Sequence, residues 1–143
     1  MFEEPILRAR ILIVASAAIV LGLGLLHLIY TFRGRMLHPR DVELESRMRE
    51  VPMVITRETT MWKAWIGFNA SHGAGAILFA AIYGYLAIAQ AAFLFESTYL
   101  CAIGALMLAS YLALARFYWF SIPYRSILVA IVCYVAGVML AWA

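Results

Sequence analysis

Charged residues are scarce in this sequence, and the scarcity restricts the kind of protein that it can encode. Only 13% of the 143 residues are charged, whereas 66% are hydrophobic and the mean hydropathy is +0.90. Soluble domains carry about 25% charged residues. A folded domain of this length still exposes too much of its area to hide so many apolar side chains from water. We therefore expect a membrane protein, in which lipid replaces water as the main solvent.

Cysteine is almost absent, and its placement gives no basis for redox or disulfide chemistry. Cys101 and Cys133 share no CxxC spacing, and both lie within apolar stretches. Helix geometry places them at depths roughly 10 Å apart, which is too far for a disulfide bond. We interpret both as small buried hydrophobic residues.

A run of basic residues without acidic neighbours is also absent. The sequence has 11 Lys and Arg residues against 8 Asp and Glu, and most of them alternate in sign between Arg33 and Lys63. An arm that binds nucleic acid would need unopposed Lys and Arg, so no nucleic acid is expected as a partner. Membrane lipids are the expected partners, because their anionic headgroups attract the small positive excess.

Four apolar stretches predict membrane-spanning helices. No charged residue occurs in 11–32, 64–95, 97–115 or 126–143, and about 20 apolar residues suffice to cross the hydrocarbon core. None of the stretches alternates as barrel strands do. We predict helices over about 11–32, 62–95, 98–118 and 124–142, with a loop over 33–61. Acidic Glu3 and Glu4 argue against a cleaved signal peptide. The long second helix is expected to tilt, to protrude from the membrane or to bend near Gly84.

Short links and flanking charge predict the topology. The links after the second and third helices are only a few residues long, which favours an antiparallel up-down four-helix bundle and a single transmembrane domain over 1–143. Arg8 and Arg10 lie on one side of the membrane, whereas the other nine of the 11 basic residues lie on the opposite side. The positive-inside rule then makes loop 33–61 cytoplasmic and places both termini on the non-cytoplasmic side of a bacterial inner membrane.

The cytoplasmic loop is predicted to contain an amphipathic helix. Residues 41–50 have the pattern of a short helix that ends before a proline. Glu43 and Arg47, like Glu45 and Arg49, are spaced four residues apart in the order that favours ion pairing on a helix.

Polar residues within the first two spans indicate a candidate functional site, because burying a polar group in lipid is costly. Helical spacing places His27 and Thr31 on one stripe of the first helix. It places Trp65, Asn69 and His72 on one stripe of the second. If these helices are neighbours, both imidazoles meet near the cytoplasmic interface, with Arg116 at a similar depth. The candidate ligand-binding residues are therefore His27, Thr31, Trp65, Asn69, His72 and Arg116.

Small residues next to the histidines predict a close approach of the two helices. Gly67, Ser71 and Gly75 form a ridge of small residues on the second helix, and Gly73 flanks His72. Such ridges permit tight helix packing in lipid. The same slim backbone would also leave room for a bound ring system.

The sequence leaves several functions open for this site. The chain is expected to be a non-catalytic membrane component, with neutral imidazoles bonded between helices and with partner subunits or further copies of itself. Alternatively, His27 and His72 would exchange protons with a lipid, quinone or sterol-like ligand, as in a binding protein or an enzyme. A further alternative makes them axial ligands of a b-type haem. A metal site completed by His38 has no motif-like spacing, so no metal is expected and the cofactor stays unassigned.

Two segments carry a family resemblance. Residues 27–32 read HLIYTF and residues 59–72 read TTMWKAWIGFNASH. They resemble a group of short bacterial four-helix integral membrane proteins that have no assigned activity. The resemblance covers roughly the first two helices and the loop between them. It implies the four-helix fold and no particular chemistry.

Overall fold

A computed structural model describes residues 3–143, with side chains from residue 4 onward. Its elements are α1 (Glu3–Phe32), α2 (Val42–Glu50), α3 (Met61–Ala89), α4 (Ala91–Glu96), α5 (Thr98–Tyr118) and α6 (Ser121–Trp142). Four of them, α1, α3, α5 and α6, are long and apolar enough to cross a membrane. The prediction of an all-α chain with four candidate membrane-spanning helices is confirmed, and the described residues contain no β-strand beyond one isolated bridge between Pro52 and Thr60.

The first helix is longer than the apolar stretch from which it was predicted. It begins at Glu3 rather than near residue 11, because charged residues mark the edge of the lipid-compatible segment and do not end a helix. Arg8 and Glu4 pair across one helical turn at 3.4 Å, as expected where the helix extends N-terminally beyond the apolar stretch. The loop helix α2 also forms, and the carboxylate of Asp41 caps it by accepting from the backbone N–H groups of Glu43 and Leu44.

The second predicted helix, 62–95, is divided at Gln90. Its backbone leaves the helical region (φ −137°, ψ 42°) between α3 and α4, whereas the helix continues uninterrupted through Gly84. Arg10 explains the position of the break, since its Nε and Nη2 donate to the carbonyl oxygens of Ala87 and Ile88 at 2.9 and 2.7 Å. In a continuous helix those two oxygens would accept from the backbone N–H groups of residues 91 and 92.

Contacts within the chain define two compact units. The first unit comprises residues up to 23 together with 76–143, and the second comprises 24–75. The prediction of a single transmembrane domain stays a prediction.

The core of the first unit is centred on two buried tyrosines. Tyr83 donates to the carbonyl of Leu100 at 2.8 Å, and Tyr134 donates to that of Cys101 at 3.1 Å. Their rings meet edge to face with centroids 5.6 Å apart. Gly104 makes this packing possible, because a β-carbon at that position would overlap the Tyr134 hydroxyl. Hydrogen-bonded phenols thus satisfy their polar ends within an otherwise apolar core.

Candidate functional site

The two histidines of the candidate spans, His27 and His72, meet within the second unit. The ring centroids of His27 and His72 are 5.1 Å apart, with an interplanar angle of 70°, so the edge of one ring faces the plane of the other. Both side chains are half-buried. The expected meeting of the imidazoles is therefore confirmed, while their role in binding a ligand stays a prediction.

Asn69 connects His27 to the backbone of α3. Its Oδ1 lies 3.1 Å from His27 Nε2, and its Nδ2 donates to the carbonyl oxygen of Trp65 at 2.8 Å. Because the amide nitrogen is used by that carbonyl, the amide oxygen faces the histidine and accepts from it. This arrangement fixes His27 as the tautomer that carries its proton on Nε2.

Thr31 and Trp65 direct their polar atoms to the backbone rather than to the imidazoles. Thr31 is buried, and its Oγ1 donates to the carbonyl of His27 in the preceding turn at 2.7 Å. Trp65 Nε1 donates to the carbonyl of Leu37 in the loop at 3.0 Å. Helical spacing predicted that Thr31 and Trp65 share a helix face with the histidines, but it does not predict their hydrogen bonds. Threonine hydroxyls in helices commonly bond to a carbonyl of the preceding turn of their own helix.

Arg116 occupies the last turn of α5 and belongs to the first unit. Its membership in a site with His27 and His72, which lie in the second unit, stays a prediction.

Helices α1 and α3 approach each other closely at Gly73. A β-carbon there would lie 2.9 Å from Leu28 Cδ2 and 3.2 Å from the carbonyl oxygen of Gly24. At Gly67 such an atom would meet nothing within 4 Å, and Ser71 is exposed. The predicted close approach beside the histidines is thus confirmed at Gly73, the glycine that flanks His72. At Gly67, the first residue of the predicted ridge, no such contact forms.

This close approach argues against a haem between the imidazoles. A flat macrocycle held by His27 and His72 would need a slot between the two helices. Instead, Leu28 and the Gly24 carbonyl are packed against Gly73, one residue from the proposed ligand. Half of the hydrogen-bonding capacity of His27 is also engaged by Asn69. The residues present do not fit the bis-histidine arrangement.

A second polar cluster lies in the loop and was only partly predicted. We call it the Glu45 cluster; its members are Arg35, His38, Glu45, Arg49 and Trp62. The Glu45 carboxylate accepts from Arg49 at 2.7 and 3.2 Å, from His38 Nδ1 at 3.1 Å and from Arg35 at 3.4 Å. The guanidinium carbon of Arg49 lies 4.2 Å from the centroid of the Trp62 ring, and the His38 ring meets the same indole edge to face at 4.7 Å.

Sequence spacing revealed one of these contacts. Glu45 and Arg49 are one turn apart on α2, as predicted, whereas Arg47 pairs with Glu50 at 3.7 Å rather than with Glu43. The contacts of Trp62 with the loop join residues far apart in sequence, and no periodic pattern indicates them. The hydrogen bonds from Arg49 and then from His38 hold the pKa of the Glu45 carboxyl below its ordinary value.

His38 therefore lies against Glu45 and Trp62 rather than completing a metal site with the other histidines. Among residues 3–143 there is no group of three His, Cys, Asp or Glu side chains placed to hold a metal ion.

No protein-family model, no curated protein and no solved structure matches the chain, so its function has to be inferred from its own residues.

Proposed function

We propose that the chain is an integral protein of a bacterial inner membrane, arranged as an antiparallel up-down four-helix bundle. In this arrangement loop 33–61 is cytoplasmic and both termini lie on the other side. Four helices of sufficient length and hydropathy support the membrane location. The excess of Lys and Arg in the loops supports the orientation. The two-residue link between Tyr118 and Ser121 supports antiparallel packing of α5 and α6.

Within this bundle, the proposed function is that of a non-catalytic membrane component in which His27, Asn69 and His72 join α1 to α3. One observation carries the proposal: the polar atoms of Asn69, Thr31 and Trp65, together with Nε2 of His27, are bonded to one another or to the backbone. Asn69 is bonded at both ends of its amide, and Thr31 is bonded to its own helix. A ligand site instead directs a few polar groups into a cavity, and neither of the two cavities described for the chain is lined by these residues.

The proposal predicts a modest loss of stability when the link between the helices is removed. Hydrogen bonds between helices in lipid contribute about 0.6 kcal/mol on average and at most about 1.7 kcal/mol, and Asn69→Ala should lower the free energy of unfolding by an amount in this range. Ser71→Ala is the matched control, because Ser71 is exposed and bonds only to the carbonyl of Phe68 in its own helix. Reversible unfolding in mixed detergent micelles measures both variants. Equal stabilities would show that Asn69 does not join the helices.

A second candidate is binding of a lipid, quinone or sterol-like ligand, and the partial exposure of both imidazoles favours it. Mass spectrometry and the visible spectrum of the purified protein distinguish the two functions. A non-catalytic component is expected to be colourless and to carry only bulk lipid. A quinone or sterol that is retained by the wild type and lost in His27→Ala would replace the first proposal with the second. A Soret band lost in both His27→Ala and His72→Ala would establish the haem alternative.

The same preparation tests for protein partners. Native mass spectrometry of the detergent-solubilised chain would detect a larger complex or a homo-oligomer, either of which is expected for a component without chemistry of its own. A strictly monomeric protein that turns over a substrate would contradict the proposed function.

A further inference from the structure

The Glu45 cluster borders a cavity that the proposed function does not use. Its volume is about 510 Å³, and its lining residues are Arg35, His38, Val42, Glu45, Ser46 and Arg49. The cavity lies entirely within the second unit. Arg35 follows the end of α1 by only three residues, so the cavity lies close to the end of a candidate membrane span.

The accessible charge in this cavity is positive. Two guanidinium groups face one carboxylate, so the excess is one positive charge before His38 is considered. Exposure enlarges the difference, since 70% of the Arg35 side chain and 49% of the Arg49 side chain are accessible, against 13% for Glu45. An incoming ligand therefore meets the cations first.

Glu45 and Trp62 hold one of the two cations in a fixed orientation. Arg49 donates to Glu45 through Nε and Nη2, and its guanidinium carbon lies over the Trp62 ring. Its remaining nitrogen, Nη1, is not used by these two bonds. Arg35 makes a single contact with Glu45, at 3.4 Å, and this leaves Nε and Nη1 for another acceptor. A pre-oriented guanidinium loses less conformational entropy when it binds an anion.

From these observations we propose that the cavity binds a phosphate group. Tetrahedral phosphate oxygens accept from several guanidinium N–H groups at once, and this geometry favours arginine over lysine. Arg35 and Arg49 supply the charge-assisted donors, and the exposed hydroxyl of Ser46 supplies a neutral one. The phosphate belongs either to a lipid headgroup, which the adjacent span would bring within reach, or to a soluble phosphorylated compound.

Two titrations of the full chain separate these sources. In the first, protein in nanodiscs of phosphatidylcholine is titrated with inorganic phosphate and followed by calorimetry. In the second, nanodiscs containing a minority of phosphatidic acid are used, and retention of that lipid is measured by native mass spectrometry. Saturable binding in the first titration identifies a soluble phosphate ligand, and selective retention in the second alone identifies a lipid headgroup. No saturable binding in either would overturn the proposal.

Charge-matched variants show whether binding occurs at this cavity. Arg35→Gln should weaken binding at least about tenfold, because it removes a charge-assisted donor to the anion. Arg57→Gln removes the same charge from an exposed position outside the cavity, and should change affinity less than about twofold. If both variants lost the same amount of affinity, binding would be due to general electrostatic attraction, and the proposed site would be refuted.

A third variant keeps the test decisive if Arg35→Gln does not fold. Arg35→Lys retains the positive charge but loses the forked donor geometry. It should weaken binding by less than Arg35→Gln and by more than Arg57→Gln. Affinity equal to that of the wild type would contradict recognition by the guanidinium. Because none of these variants touches His27, Asn69 or His72, the outcome is independent of the function proposed above.

Discussion

Gly104 gives the sharpest test of the packing described for the first unit. A β-carbon at this position would overlap the hydroxyl of Tyr134 and would lie 2.6 Å from its Cζ and 2.7 Å from Cε1 of Tyr83. Both rings are buried, and each hydroxyl is hydrogen-bonded to a backbone carbonyl of α5. Neither ring can rotate aside without losing its hydrogen bond. We therefore expect Gly104→Ala to destabilise the protein.

The magnitude follows from three opposing contributions. Overpacking a close-packed core costs about 1–3 kcal/mol, and disturbing the hydrogen bond from Tyr134 to Cys101 costs about 1 kcal/mol more. Replacing glycine by alanine within a helix returns about 0.8–1 kcal/mol. The net loss in the free energy of unfolding should therefore be about 1–3 kcal/mol.

Gly67→Ala is the matched control, because the same chemical change occurs in a helix where nothing lies within 4 Å of the added atom. It should leave stability unchanged or raise it by up to about 1 kcal/mol. Reversible unfolding in mixed micelles measures both variants. If Gly104→Ala and Gly67→Ala were equally stable, the close contact with Tyr134 would be refuted.

A double-variant cycle identifies the atom responsible. Tyr134→Phe removes the hydroxyl oxygen that the new β-carbon would overlap, at the cost of the bond to Cys101. The combined Gly104→Ala/Tyr134→Phe variant should therefore be more stable than the sum of the two single changes predicts, by about 0.5–3 kcal/mol, the usual range for residues in contact. Strict additivity would show that the hydroxyl oxygen is not responsible for the destabilisation, because the contacts with Cζ of residue 134 and Cε1 of Tyr83 remain in the double variant.

Two further predictions concern charged residues. Arg10→Leu should lower the free energy of unfolding by about 2 kcal/mol, because two charge-assisted bonds to α3 carbonyls are lost. The control Arg8→Leu breaks only an exposed pair with Glu4, and it should lower the free energy of unfolding by less than about 1 kcal/mol in the same assay. The contacts of Glu45 lower the pKa of its carboxyl below the ordinary value of 4.5. These contacts therefore stabilise the loop fully above pH 4.5, and the stabilisation is lost as the pH falls through the lowered pKa. The protection of the α2 amides, measured as the intrinsic exchange rate at each pH divided by the observed rate, should fall below that pH in the wild type but not in Glu45→Gln, whereas Glu43→Gln should behave as the wild type. Protection of α2 that does not change with pH in the wild type would contradict the role of the carboxylate.

The spans were predictable because hydropathy is a local property of the sequence. A run without charge, of sufficient length, has few alternatives to a helix in lipid, and α5 occupies the range predicted for it. The interruption at Gln90 was not predictable, because its cause is Arg10, 77 residues away in sequence. A residue that caps a helix from another element leaves no periodic signal in the sequence of the helix that it caps.

The candidate site was likewise predictable only where the signal is local to one helix. The meeting of His27 and His72 follows from helical periodicity once the two helices are neighbours. The hydrogen bonds of Thr31 and Trp65 do not follow, since each side chain had several acceptors within reach and only the packed structure selects one. Gly73 became the contact residue because Leu28 packs onto it, a choice that the spacing of small residues alone could not make.

The hydrogen bonds around the segment between α3 and α5 have a consequence for the order of assembly. Arg10 donates to carbonyls at the end of α3, and Trp142 Nε1 donates to the carbonyl of Phe95 in α4 at 2.8 Å. The donors therefore come from the first and the last helix of the chain. Until α6 has been synthesised and inserted, Phe95 must find another donor or remain solvated at the interface. We expect this corner to become protected from hydrogen exchange only after the final helix has entered the bilayer.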